Sequence, residues 1–196
     1  MAMARPREFD REVALERASG VFWAKGFAST STEDLLAAMG IGRQSLYNAF
    51  GDKRALYLEA LESYQCATTA GHLQRLNEST SPVAGIRALL LGLIAEDDEL
   101  RVMGCMGVGA VSEFGTVDPT LVELRAKIGP LVFAGLVERL RQGQARGEID
   151  SAMDAEEAAG FVQMTMTGIQ LAARGGASAD ALRTLAHFAV DRLKAR

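Results

Sequence analysis

Apolar positions along this chain recur every three or four residues and almost nowhere alternate singly with polar ones, the spacing of amphipathic helices rather than strands. Alanine, leucine, glutamate and arginine recur throughout, and all four favour helix. The pattern predicts an all-α chain. A first helix is expected from about Asp10 to Lys25, capped by Asp10, with Leu15, Ala18 and Phe22 on one face and Gly26 as a left-handed stop. Phe22, Trp23 and Phe27 then become core anchors. The stretch Thr30-Ser31-Thr32-Glu33-Asp34 offers a capping box in two registers, Thr30 with Glu33 or Ser31 with Asp34, and opens a second helix to about Met39. Gly40-Ile41-Gly42 breaks that helix, and Arg43 to Phe50 resumes it with Leu46 and Phe50 on one face.

Further along, Lys53 to about Leu76 reads as one long linking helix, and Pro82, acceptable in a first turn, opens another to about Leu100. Gly104 to Phe114, Pro119 to about Arg146, Asp154 to Arg174 and Ala179 to Lys194 complete nine helices. The expected division is a three-helix head, residues 1–54, and a body of about six helices, residues 55–196. Glu96-Asp97-Asp98-Glu99 falls at an expected helix end, where it opposes the dipole and should be solvated. From Phe161 to Leu171 apolar residues occur on every side, which predicts a helix buried all round. Ala158, Ala159, Gly160, Gly168, Ala172 and Ala173 allow a neighbouring helix close approach, and the last helix carries an apolar stripe of Leu182, Leu185, Ala186, Ala189 and Leu193.

Composition narrows the classes. With 48% hydrophobic residues in 196, the chain can bury a core without staples. Cys66 and Cys105 stand apart from each other and from any histidine cluster, so the reading is no disulfide framework, no metal site and no cofactor. No apolar run approaches the roughly 20 residues of a membrane span, and the basic stretch Met1 to Arg7 leads into no apolar signal segment. A cytoplasmic protein without a membrane partner is expected. The net charge of −4 at first argues against a nucleic-acid partner. Distribution matters more: residues 1–54 hold eight Lys/Arg (Arg5, Arg7, Arg11, Arg17, Lys25, Arg43, Lys53, Arg54) against seven Asp/Glu. A head so weakly basic needs its cations gathered on one face.

Two short helices joined by a tight glycine-containing turn follow the helix-turn-helix plan. Residues 43–50 would form a helix of ~12 Å, comparable with the ~12 Å width of the B-DNA major groove. With Leu46 and Phe50 turned inward, Arg43, Gln44, Tyr47 and Asn48 are left outside. Arginine can pair bidentately with guanine, and glutamine or asparagine with adenine; the alternative is an ordinary solvated face.

The run Gly26-Phe27, Thr30-Ser31-Thr32-Glu33-Asp34-Leu35, Met39-Gly40-Ile41 and Ser45-Leu46-Tyr47-Asn48-Ala49-Phe50-Gly51-Asp52-Lys53-Arg54-Ala55-Leu56 resembles the DNA-binding head of the tetracycline-repressor (TetR) family. The resemblance implies a homodimer whose two heads read a palindrome in double-stranded DNA, and a body that binds a small-molecule effector and thereby releases the DNA. It implies phosphate or backbone contacts for Thr32, Tyr47 and Lys53, and base-facing positions for Arg43, Gln44, Ser45 and Asn48. Ala49 stands where many members have histidine, and Leu36 where many have alanine, so contacts taken from those members need not carry over.

The body is read physically. The last two helices, paired with their copies, would make a four-helix dimer seam through Gly168, Ala172, Leu182, Leu185 and Ala189; the alternative is an intramolecular core. An effector pocket is expected between the linking helix and those from Pro82 onward, drawing on Tyr64, Met103, Cys105, Met106, Phe114, Phe133 and Met164, with Gln163 or Gln170 as polar anchor. Cys105, next to Gly104 at a helix start, resembles the Gly-Cys of some members that sense electrophiles or oxidants. The alternative is a buried cysteine beside a pocket that binds reversibly. His72 and His187 read as surface or partly buried helix residues. Two further classes stay open: an all-α enzyme, against which stands the lack of any nucleophile–base or phosphate-loop motif, and an architectural DNA binder indifferent to sequence.

Overall fold

The computed structural model describes residues 9–195, so Arg5 and Arg7 of the basic set lie outside the described residues. The helices are α1 (Arg11–Lys25), α2 (Thr32–Met39), α3 (Arg43–Phe50), α4 (Lys53–Glu78), α5 (Pro82–Leu91), α6 (Asp98–Val102), α7 (Met106–Phe114), α8 (Pro119–Ala145), α9 (Ala155–Arg174) and α10 (Ala179–Asp191). Counting the five-residue α6, the described residues hold ten helices, nine of them expected from the pattern. Side-chain caps explain most of the starts: Asp10, Ser31, Ser81, Asp118, Asp154 and Ser178 each accept from a backbone N–H of the first turn, which has no partner within the helix.

The stretch expected as one helix from Pro82 to about Leu100 is two. α5 ends at Leu91 ahead of Gly92, and the Leu93 carbonyl beyond it accepts from Gln170 Nε2 at 3.3 Å. Asp97 then caps α6 by accepting from Leu100 N at 2.8 Å. The acidic run therefore sits at a helix start, where the dipole favours carboxylates, and the expectation that it opposes a dipole is corrected. Glu96, just ahead of it, pairs with Arg183 of α10. Gly26 does stop α1 at positive φ, but with φ 77 and ψ 172 it lies outside the left-handed helical region.

The chain divides into two compact units, the first ending at Tyr64 and the second beginning at Gln65, so the division falls inside α4 and beyond the expected Arg54. The reason is packing. Leu56, Tyr57, Ala60 and Leu61 on the first turns of α4 are buried, and Tyr57 meets Phe22 edge-on at 5.0 Å and Phe27 at 5.1 Å. The first unit cannot close its aromatic core without them.

In the second unit an aliphatic core joins α5, α8, α9 and α10 through Ile86, Leu89, Leu90, Leu136, Leu140, Val162, Ile169, Leu182, Ala186 and Val190. Two guanidinium groups are buried against backbone carbonyls. Arg139 donates to Ser79 O and Ser81 O at 2.6 and 3.2 Å, and Arg101 donates to Ala95 O, Glu96 O and Ala177 O at 3.2–3.4 Å. Glu148 accepts from Ser81 Oγ at 2.5 Å, and Asp150 N reaches Leu193 O at 3.0 Å, tying the end of the chain to the α8–α9 connection.

Candidate nucleic-acid interface

α2 and α3 are short because glycines bracket them. Gly40 closes α2 in the left-handed conformation (φ 68, ψ 29), which costs a side-chain-bearing residue energy, and Gly42 is the N-cap of α3. Of the two possible capping boxes, the Ser31–Asp34 register forms: Asp34 N donates to Ser31 Oγ at 3.0 Å and Ser31 N to Asp34 Oδ2 at 2.9 Å. Thr30 is instead buried, its hydroxyl donating to Gly26 O at 2.6 Å. The Lys25 ammonium at 2.7 Å, with the Ser31 backbone N–H, holds the Asp34 carboxyl well below the usual carboxylate range. α1 and α2 are thus joined by a charge pair as well as by packing.

Leu35, Met39, Leu46 and Phe50 turn inward and are buried. That fixes which face of α3 is free. Arg43, Gln44, Tyr47 and Asn48 are exposed, Ser45 is half-buried on the flank, and Thr32 is half-buried at the first position of α2. The exposed side chains are engaged with one another and with α2: Arg43 forms an ion pair with Glu33, and Gln44 Nε2 donates to Asn48 Oδ1 at 3.0 Å. Lys53 opens α4 with its ammonium 4.3 Å from the centroid of the Phe27 ring. Behind α3, the Arg11 guanidinium bridges three elements. It contacts both Glu59 carboxylate oxygens at 2.5 and 2.8 Å, donates to Ala49 O at 3.2 Å and lies 4.5 Å from the Phe50 ring centroid. From the sequence, Glu33 is legible only as a possible capping residue and Arg11 only as part of the charge count, neither with its ion-pair partner. Their partners lie far along the chain, and no local spacing announces such pairs.

Not all of the residues expected to line an effector pocket lie in the interior of the second unit. Tyr64 belongs to the first unit, where its ring lies 5.2 Å from Trp23, and Met164 is 66% exposed on the outer face of α9, so neither lines an interior of the second unit. Met106 is buried, whereas Met103, Cys105, Phe114 and Gln163 are half-buried; Phe133 packs against the aliphatic core. Gln170 is used structurally, on the Leu93 carbonyl. Among the described residues no group of three or more His, Cys, Asp or Glu is placed to hold a metal, and no helix is long and apolar enough to cross a membrane.

α9 is not buried all round. Ala158, Ala159, Val162, Ile169 and Ala173 face the core, but Phe161, Met164, Gly168 and Leu171 form an exposed stripe on the opposite side. α10 likewise buries Leu182, Ala186 and Ala189 and exposes Leu185 and Phe188. The expected seam is thereby split: Leu182 and Ala189 belong to the core of the single chain, Gly168 and Leu185 are outside, and Ala172 is between. The periodicity identified an apolar helix but not which of its faces a neighbour within the chain would cover.

Comparison with known proteins agrees with this geometry. The profile of bacterial regulatory proteins of the tetR family matches residues 14–60, the span of α1 to the first turns of α4. The chain is 36% identical over 151 residues to the uncharacterized HTH-type transcriptional regulator YezE of Bacillus subtilis (strain 168), covering 74% of this chain and 78% of that one. It is 28% identical to the HTH-type transcriptional repressor ComR of Escherichia coli (strain K12), covering 93% and 88% of the two. Among solved structures it is similar to a cysteine-substituted form of the TetR family transcriptional regulator CifR, complexed with 26 bp double-strand operator DNA. That match has a TM-score of 0.78 and 30% identity, and covers 95% of this chain and 98% of that one.

Proposed function

Because the chain belongs to the TetR family of DNA-binding transcriptional regulators, we propose that it represses transcription by binding a palindromic operator as a homodimer, and that a small-molecule effector taken up by the body releases it. The observation that carries this reading is the outer face of α3, where Arg43, Gln44, Tyr47 and Asn48 stand exposed on a helix short enough to lie in one major groove. Thr32 and Lys53 flank it as phosphate contacts. On this reading the protein works in the cytoplasm beside the DNA it controls and has no catalytic role. An effector acts by favouring a body conformation that alters the spacing of the two heads.

The test is footprinting on duplexes selected from genomic fragments, which should reveal two related half-sites. Arg43→Ala should cost about 1–3 kcal/mol per half-site and relax sequence preference. Lys53→Ala should weaken all duplexes alike and flatten the salt dependence. If the two variants behave alike, the division between base reading and phosphate contact is wrong.

Support for the dimer comes from the paired outer stripes of α9 and α10, with Phe161, Met164, Leu171, Leu185 and Phe188 between 42 and 66% exposed. So much aliphatic and aromatic surface on two neighbouring helices marks an association surface. Gly168 sits within the stripe, and a Cβ built there meets nothing within 4 Å of it in the single chain. Gly168→Glu should therefore leave the protomer folded and yield monomers in sedimentation, because the charge would be buried only in the seam. A dimer that survives this change has its seam elsewhere.

A second reading has one observation in its favour. Cys105 is a half-buried, free thiol at the N-cap of α7, which supports a reading as a covalent sensor of electrophiles or oxidants. Hypochlorite should then release DNA from the wild type and not from Cys105→Ser, with the variant still bound to its operator; equal release from both removes Cys105 as the sensor.

A further inference from the structure

We infer that Arg11 is a positioning residue for sequence reading: without touching DNA itself, it sets the pitch of α3 against α1 and α4, and so governs how well the base-facing side chains discriminate. The inference rests on the reading above that the outer face of α3 meets base edges, and it names the residue on which that face depends from behind.

Arginine is a poor choice for the helix that carries it. Arg11 is the first residue of α1, directly after the capping Asp10, where the partial positive charge of a helix start disfavours a cation. At the end of α3 the sign is reversed. Arg11 Nη2 donates to Ala49 O at 3.2 Å, one of the last carbonyls of that helix, which have no partner within it, and the negative end of the dipole there favours a guanidinium. The same group lies 4.5 Å from the centroid of the Phe50 ring, and the Phe9 ring lies 6.5 Å from it. Phe50 is the last residue of α3 and one of the two that turn inward, so these contacts grip the helix on its buried side.

The guanidinium is in turn held by α4. Its two Nη atoms meet the two Glu59 carboxylate oxygens at 2.5 and 2.8 Å, a fork-on-fork contact that fixes the plane of the group as well as its charge. Glu59 stands between Tyr57 and the buried Ala60 and Leu61, on the turns of α4 that complete the core of the first unit, so the anchor is rigid. α3 by itself is not. It is eight residues long, has no side-chain cap at Gly42, and joins α2 through a turn with a glycine at each end. Leu46 and Phe50 set its depth along a single line, and rotation about that line moves every base-facing side chain together. Base contacts fail on such a displacement, whereas phosphate contacts tolerate it. A half-exposed ion pair adds little to stability. The clamp therefore acts on discrimination far more than on folding.

The test uses the full chain and two duplexes of equal length, the operator selected as above and one of random sequence, with affinities read by fluorescence anisotropy over a range of salt. Arg11→Ala should weaken operator binding about tenfold or more and change binding to the random duplex less than about twofold. The slope of log affinity against log salt should stay that of the wild type, since no phosphate contact is lost. Equal weakening on both duplexes with a flatter slope makes Arg11 a phosphate contact, and an unchanged operator affinity makes it a bystander; either result overturns the inference. Arg11→Lys keeps the charge beside Glu59 but neither the fork nor the flat face, so its Tm should match the wild type within about 1 °C while its preference for the operator still falls about threefold. Full preference in the lysine variant overturns the inference, whether or not Arg11→Ala folds. Arg11→Ala combined with Glu59→Ala should be no worse than Arg11→Ala alone, within about twofold, because both act through one clamp; losses that multiply show that Glu59 is not the anchor and overturn the clamp. A wild type that does not prefer the operator sinks the reading of α3 on which this rests, whereas one that prefers it, with variants that prefer it equally, sinks Arg11 alone.

Discussion

The two units solve the problem of burying a core with different materials. The first stacks aromatic rings, with Phe22, Phe27 and Tyr57 within 5.0–6.4 Å of one another, and surrounds them with exposed ion pairs such as Arg11–Glu59 and Lys25–Asp34. The second fills its centre with aliphatic side chains, buries Arg101 and Arg139 on backbone carbonyls, and leaves apolar stripes of α9 and α10 uncovered. A polar outer face on a small rigid unit is suited to reading a charged polymer, whereas an uncovered apolar face is suited to another copy of itself. The chemistry of each surface follows from which residues the core beneath it has consumed.

Truncating one ring is the most severe way to break this contrast. Phe22→Ala should cost about 3–5 kcal/mol, read from chemical denaturation, and abolish DNA binding, because Phe22 is 1% exposed and contacts rings from two other segments. If the loss is below 1 kcal/mol, the aromatic cluster is not what holds the first unit. Arg101→Ala probes the second unit's different solution: three carbonyls lose their donor, and stability should fall by about 1–3 kcal/mol while DNA binding by the folded protein is unaltered. A neutral outcome would mean that those carbonyls find other donors. The smallest effect, vanishing at neutral pH, concerns His72. Burial, aided by Arg75, pushes its imidazole down to about 4 in the folded chain, against an ordinary value of ~6.5. The folded state keeps the ring neutral while the unfolded chain protonates it. Stability is thus complete above pH ~6.5 and declines as pH falls toward 4, and His72→Gln should flatten that stretch of a Tm-against-pH curve.

Much of this was legible before the fold was known, and unevenly so. Caps and stops depend on neighbours along the chain, so α1 to α4 and the exposed set on α3 could be read from Asp10, Ser31, Gly40 and the Leu46–Phe50 spacing. The break between Leu91 and Asp98 was missed because no proline marks it, and the group that meets the freed Leu93 carbonyl, Gln170, is distant in the chain. The outward turn of Met164 was missed for a related reason. A helix apolar on every side reads the same whether its far face meets the core or awaits a partner. Tyr64 joined Trp23 in place of an interior of the body because the boundary between units falls inside a continuous helix, where periodicity does not change.

The ion pair between Arg43 and Glu33 bears on what discrimination between sequences means for this head. A free guanidinium on α3 would be attracted to any phosphate-rich surface, but one already partnered must be exchanged, carboxylate for nucleobase. If Arg43 reads a guanine as proposed, the guanine edge of a matching site replaces what Glu33 gave up. On a mismatched site the exchange would leave a carboxylate without its counterion beside a polyanion, so the wrong sequence would be repelled as well as bound less well. On the proposal that Arg43 reads a base, the head's near balance of eight cations against seven anions, which looked like a handicap for a DNA binder, would work toward selectivity.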